Sequence, residues 1–547
     1  MIGALILAVI FRLGDLSTKP YWEDEVYTSV RVSGYHLETV RQQIDSQIIS
    51  IEALSQYQDV AKADRSWGDS LAALLNRPEH APLYFVLARA WAQVFGGSVG
   101  AMRAFPAVTS LFTLPLFYWL ARLLFNSATT AKITLCLACV SPILIRYAQE
   151  ARPYSLWMVG ILASSVALLS ALHSNRRSAW AIYSLTVALT FWTHLLSGPL
   201  FIAHSLYVLI LRRYEKIDLK AVSIHRTNVE GDSPSASTDP SFQRPSVDRL
   251  RLLNFRKFLS FGLLAILPWL GQMFSQFESV QAVTEWQSKP LSLGDLMGGW
   301  LNNVSRLSFF WMPPGQWLMF VAFWLLLFAW CLFCLLSSAH LRQWLLPVLL
   351  CVIPGGLLVG LDLVFGGIRS LVPHYSMPTY LGAIFVLSFG LSFGVSRLQR
   401  PPIAKGRRYF QAGLFHIVLV LMIFASWNNL RSPVWWKDSQ LYSLSVAQAV
   451  TQTATPITFV SDYRVGNFMS VGLMLRPTDR FLWFREKELI DKGVDVDRIL
   501  GSADNIFLFR PSEYLLDRVE DGAEQRQLAV EEMEIQDIYK ISRPMSQ

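Results

Sequence analysis

Apolar runs too long for a soluble core decide what this chain can become. Nearly charge-free stretches cover residues 105–120, 133–145, 154–172, 179–196, 258–277, 316–338, 343–361, 370–396 and 409–430. Many reach the roughly 20 residues that a helix needs to cross hydrocarbon. Lipid offers no partner to a backbone amide, so only helices and closed barrels span it, and these runs lack the in-out alternation of barrel strands. Helices remain, as the 52% hydrophobic and 16% charged composition also requires. The opening run, 1–13, is shorter, is interrupted by Arg12 and has no small-residue cleavage site behind it, so it reads as a short first span. All five cysteines (Cys136, Cys139, Cys331, Cys334, Cys351) lie in apolar runs without charged or His company, and read as packing residues.

The net charge of +8 is unevenly spread, and positive connections stay in the cytoplasm. Arg176 and Arg177, the segment 212–257, Arg342 and the segment 397–408 are the basic connections. Connections 14–80, 146–153, 194–199, 278–315 and 366–373, and everything after Asn429, then lie on the outer face. The apolar segment 83–95 is short and carries Arg89; spanning would misplace every later basic loop, so it is expected along the outer surface. The sum is an all-α polytopic membrane protein of about eleven spans, N-terminus inside and C-terminus outside. Residues 1–430 form the membrane domain, with a first outer loop at 14–104 and a flexible insert at 212–257 whose Ser/Pro/Asp-rich part, 231–245, cannot fold alone. From 431 to 547 short β-runs at 458–461, 481–484 and 506–509 alternate with helical patterns such as 512–519, which predicts a small extracytoplasmic α/β domain.

Polar chemistry gathers in the outer connections. Trp22-Glu23-Asp24-Glu25 sets three acids beside aromatics just after a span, where desolvation is costly. One such carboxylate suits a general base, and Trp and Tyr suit sugar faces. Glu79 and His80 stand between Pro78 and Pro82, which stiffen the backbone. The run Arg146 to Tyr154 packs arginines, Gln149, Glu150 and two tyrosines into one tight connection, and guanidinium groups suit a phosphodiester. His194 lies at an outer helix end, and Arg369, followed by His374 and Tyr375, is an outward cation placed for a lipid phosphate.

In this order the clusters resemble the GT-C membrane glycosyltransferases, in particular the family 39 branch of protein O-mannosyltransferases and lipid A aminoarabinose transferases. Trp22-Glu23-Asp24-Glu25 is similar to a Trp-x-Asp-Glu element and His80-Ala81-Pro82-Leu83-Tyr84 to His-Pro-Pro-Leu-Tyr. Phe95-Gly96 and Arg103 to Ala107 echo a further pair of elements, Gln149 to Tyr154 completes Gln-Glu-Ala-Arg-x-Tyr, and Thr193-His194 matches a Thr-His. A late Arg-Tyr-x-x-Pro is altered to His374-Tyr375-Ser376-Met377-Pro378, which leaves open whether Arg369 or His374 meets the phosphate.

The resemblance implies inverting transfer of a sugar from a polyprenyl-phosphate donor to a glycan, lipid or protein acceptor outside a bacterial inner membrane. Asp24 takes the catalytic role with Glu25 beside it. Arg152 and Arg369 meet phosphate, and Trp22, His80, Tyr84, Gln149, Glu150, Tyr154, His194, His374 and Tyr375 bind or order substrate. The resemblance fixes no cofactor: some relatives use a divalent metal and others none, and Asp24, Glu25 and His80 could ligate one without forming a closed set. Besides donor and acceptor, membrane lipid is an expected partner and nucleic acid is not. A polysaccharide polymerase or ligase would carry a long late outer loop and lack the early Asp-Glu, and a flippase would carry polar groups mid-span in repeated halves.

Overall fold

The computed structural model describes the chain except residues 228–245, 307–313, 397–402, 436–437, 454, 486–488, 492, 494, 502–504 and 544–547. Most of the expected flexible insert and part of the basic connection 397–408 therefore lie outside the described residues.

The chain is an integral membrane protein built of packed helices. Six described helices are long and apolar enough to span: Val99–Phe125, Tyr154–Ser174, Leu195–Lys216, Trp317–Ser338, Leu341–Phe365 and Tyr409–Arg431. Two bent pairs, Ala128–Val140 with Pro142–Ala148 and Arg249–Leu264 with Leu267–Ser275, raise the number to eight. Among the described residues, length and composition thus give six to eight spans and do not confirm the expected eleven. Part of the shortfall has a local cause, because proline cannot continue a helical hydrogen-bond ladder: a 54° bend precedes Pro142 and a 42° bend precedes Pro268.

The break before Pro142 leaves helix carbonyls without partners, and Arg12 of the first helix, α1 (Ile2–Leu13), supplies them. Its guanidinium is buried and donates to Ala138 O at 2.9 Å and Cys139 O at 2.8 Å. An arginine that interrupts an apolar run in the sequence thus joins two helix ends. The short helix Leu83–Phe95 carries Arg89 inward, 2% exposed, to Val32 O and Ser70 Oγ in the first loop.

Six strands form one sheet: β1 (Ile48–Ser50), β2 (Thr458–Ser461), β3 (Arg480–Trp483), β4 (Ile506–Phe509), β5 (Ala529–Glu532) and β6 (Ile538–Ser542), in the order β1-β3-β2-β4-β6-β5. The three strands expected from the sequence are the central parallel ones, whose residues are buried nearly throughout. Alternation sends Val460, Leu482 and Leu508 towards the helix Glu513–Gln525, and Phe459, Phe481 and Phe507 towards the first loop.

The edge strand β1 belongs to the first loop and pairs antiparallel with β3, Ile49 opposite Phe481. The expected boundary near residue 431 therefore does not divide two separate cores. Polar ties reinforce the join: Ser470 Oγ donates to Tyr21 O, Gln440 Nε2 to Pro20 O at 3.0 Å, and Arg485 pairs with Glu38. The carboxy-terminal region braces the segment that carries Asp24.

Candidate functional site

The first-loop helix α2 (Glu23–Val32) starts where Trp22 N–H donates to Glu25 Oε2 at 3.3 Å. Its first turn is acidic, which suits the positive end of a helix. From there the two neighbouring acids have different surroundings. Glu25 is fully buried: it receives Arg103 Nε at 2.8 Å and Arg103 Nη2 at 2.7 Å, and Ala151 N–H donates to it at 2.8 Å. Arg103 meanwhile donates to Leu16 O, Lys19 O and Pro20 O. This carboxylate is committed to holding three segments together and leaves no free face for substrate.

Asp24 is 34% exposed, and its Oδ2 stands 3.6 Å from Arg152 Nη2. Arg152 is oriented by other groups: Nη1 donates to Thr28 Oγ1 at 3.0 Å and to Asp24 O at 3.3 Å. Thr28 in turn donates to Asp24 O at 2.9 Å. A carboxylate with an open side beside a fixed guanidinium can take a proton on one side while the cation meets an anion on the other.

Aromatic rings line the neighbourhood. His374 lies 4.4 Å from the Tyr154 ring, and His194 is stacked on Trp157 at 4.0 Å and 11°. Tyr375 accepts a hydrogen bond from Gln287 Nε2 at 2.9 Å, and burial, reinforced by Asp24, pushes its phenol up to about 12. Arg152 and Arg369 act on the same phenol, so Tyr375 links the Asp24 side of the site to Arg369. Arg369 is a quarter exposed and is held by Asp362 at 3.2 Å, Gly366 O at 2.8 Å and Ser288 Oγ at 2.9 Å.

His80, half-buried, is held well below the usual histidine value by burial and then by Arg31, Arg152, His194 and His374, so it is neutral at pH 7. Burial also lowers His194 from 6.5 to about 3, and its Nδ1 accepts Leu196 N–H at 3.2 Å, which requires the neutral ring. Because the folded value lies below the unfolded one, this histidine contributes stability that is complete above pH 6.5 and is lost as pH falls towards 3. The melting temperature of the wild type should therefore drop faster than that of His194→Gln between pH 6.5 and 4. Parallel curves would show that His194 takes up its proton without penalty.

The structure thus brings Asp24, His80, Arg152, Tyr154, His194, His374 and Tyr375 into one cluster, with Arg369 next to it. Of the other expected site residues, Gln149 and Glu150 make internal contacts. Gln149 Nε2 donates to Phe11 O and Gly14 O at 2.9 and 2.7 Å, tying the end of α1, and Glu150 pairs with Arg146, both buried. Tyr84 is fully buried against Phe85 and Phe105, within electrostatic reach of Arg152 and Tyr154. Trp22 is half-buried at the start of α2. No group of three or more His, Cys, Asp or Glu among the described residues is disposed to hold a metal, and Glu25 is already taken by Arg103. The trio Asp24, Glu25 and His80 is therefore not a metal set.

Sequence reasoning missed Thr28, Arg31, Trp157 and Asp362. A signal existed for two of them: Asp24, Thr28 and Arg31 stand at i, i+4 and i+7, one face of α2.

Comparison with known proteins bears on the fold. A family profile for dolichyl-phosphate-mannose-protein mannosyltransferases matches residues 79–225. The crystal structure of ArnT from Cupriavidus metallidurans bound to undecaprenyl phosphate is similar over 99% of this chain and 96% of that one, at 11% identity and a TM-score of 0.50. The fold is GT-C. The apo state of the same ArnT gives the same coverage and TM-score at 10% identity. No curated protein sequence gives a significant match. The likeness in fold extends over the carboxy-terminal region as well.

Proposed function

We propose that this GT-C protein is a glycosyltransferase that moves a sugar from a polyprenyl-phosphate donor to an acceptor on the extracytoplasmic side of a bacterial inner membrane. The observation that carries the reading is Asp24, an open carboxylate 3.6 Å from the buried Arg152 guanidinium, among aromatic rings at the end of packed membrane helices. The family match and the undecaprenyl phosphate bound by the similar ArnT support a lipid-phosphate donor.

In the proposed step Asp24 accepts the proton of an acceptor hydroxyl as its oxygen attacks the anomeric carbon. The bond from that carbon to the phosphate oxygen breaks on the opposite face, so configuration inverts and polyprenyl phosphate leaves with the electron pair. Arg152, steadied by Thr28, meets the departing charge, and Arg369 extends that cation surface. Tyr154, His374 and the His194–Trp157 stack offer faces for the sugar. Glu25 acts as a positioning residue, since every contact it makes is internal.

The test is transfer in membranes that contain the protein and a panel of labelled polyprenyl-phosphate sugars. At least one donor should lose label to an acceptor with inverted anomeric configuration, whereas donors that cross the bilayer intact would establish a flippase instead.

A further inference from the structure

Beside the Asp24 cluster, the first loop and Ser279 line a partly open cavity of about 170 Å³. Arg31 at the end of α2 closes one side. His36 and Glu38 at the start of the helix Leu37–Ile44, and Asn76 and Arg77 after the helix Trp67–Leu75, form the walls with Ser279. These walls are fixed. Asn76 Nδ2 and His36 Nδ1 are 3.2 Å apart, and Gln272 and Gln276 side chains donate to Leu75 O at 3.0 and 2.8 Å.

The charges inside do not balance. Arg31 is matched by Glu79 at 2.8 Å, and Glu38 is engaged by Arg41 at 3.6 Å and by Arg485. His36 is held below its usual value by burial and then by Arg65, which keeps it neutral at pH 7. Arg77 lines the same cavity and, among the described residues, has no ion-pair partner. On the far side, Arg31 lies within electrostatic reach of Asp24 and Arg152, which makes the cavity a neighbour of the proposed reaction centre. The space is equivalent to about five or six liquid waters. It admits one charged group and not a lipid.

We propose that this cavity is an anion subsite that receives a phosphate or carboxylate group carried by the acceptor, and so aligns a hydroxyl of that acceptor with Asp24. The inference rests on the transferase reading, with Arg152 and Arg369 serving the donor phosphate. Arginine holds oxyanions through paired N–H groups, and of the two arginines lining the cavity Arg77 is the one without an ion pair among the described residues.

Inorganic phosphate is the probe, titrated calorimetrically into the full chain in phosphatidylcholine nanodiscs. One wild-type phosphate site should weaken at least about tenfold in Arg77→Gln, the usual loss for a charge-assisted contact, while persisting in Arg152→Gln and Asp24→Asn. Arg77→Gln should keep the wild-type melting temperature. Phosphate binding that is unaffected by Arg77→Gln, or absent from the wild type, overturns the proposal. So does phosphate binding abolished when phosphatidylglycerol replaces phosphatidylcholine, because a lipid headgroup then occupies the cavity. The readout is binding, so it stands even if transfer fails and the transferase reading falls.

Discussion

Replacing Asp24 by Asn is expected to lower the turnover of sugar transfer about a thousandfold while leaving the protein folded. Removing a general base costs roughly two to four orders of magnitude in rate. Asp24 has little structural work to lose. Its carboxylate is one-third exposed and lies 3.6 Å from Arg152, beyond a direct hydrogen bond, and Arg152 keeps Thr28 and the Asp24 carbonyl when the side chain changes. The stability change should stay within about 1 kcal/mol, the range for partly exposed pairs.

Neighbouring Glu23 is the informative control. Burial raises its pKa, and Tyr27 OH donates to it at 2.6 Å, so it is an acid of altered basicity one residue away. Transfer with labelled donor should survive Glu23→Gln far better than Asp24→Asn. The reverse order would move the role of base to Glu23.

How much of this was legible in the sequence depends on what each residue had to do. Apolar runs and the central strands β2, β3 and β4 could be read because burial acts on local stretches, and the polar outer connections that carry Asp24, Arg152, His194 and Tyr375 stood out because desolvation is costly there. Strand β1 could not, because Ile48–Ser50 is three residues long and becomes a strand only by pairing with β3, more than 400 positions later. The same non-locality hid the division of labour within one motif. Gln149, Glu150 and Arg152 look alike as hydrogen-bonding residues in a tight connection. Only packing shows that Gln149 holds α1, Glu150 holds Arg146, and Arg152 alone turns to Asp24. Asp362 was overlooked for a related reason: an acid at the end of a long apolar helix has no meaning until Arg369 folds back onto it.

Glu25 gives the second large effect and separates the adjacent acids by kind. With Arg103 it forms a bidentate pair whose side chains are 2% and 0% exposed, and removing one partner of such a pair strands the other charge. Glu25→Ala should therefore cost about 3–5 kcal/mol of stability, read as a large fall in melting temperature in detergent or nanodiscs. The double variant Glu25→Leu with Arg103→Met should recover only part of that loss: no unpaired charge remains, but Leu16 O, Lys19 O, Pro20 O and Ala151 N–H lose their partners. Activity should not return with the stability. Ala151 N–H also donates to Glu25, so this one carboxylate fixes α2 and the chain entering Arg152 together, and with them the 3.6 Å separation of Asp24 from Arg152. An apolar pair cannot accept that N–H, and a positioning error near 1 Å is enough to cost about a hundredfold in rate. A Glu25→Gln protein that melts like the wild type yet transfers no sugar would instead place Glu25 in the chemistry itself.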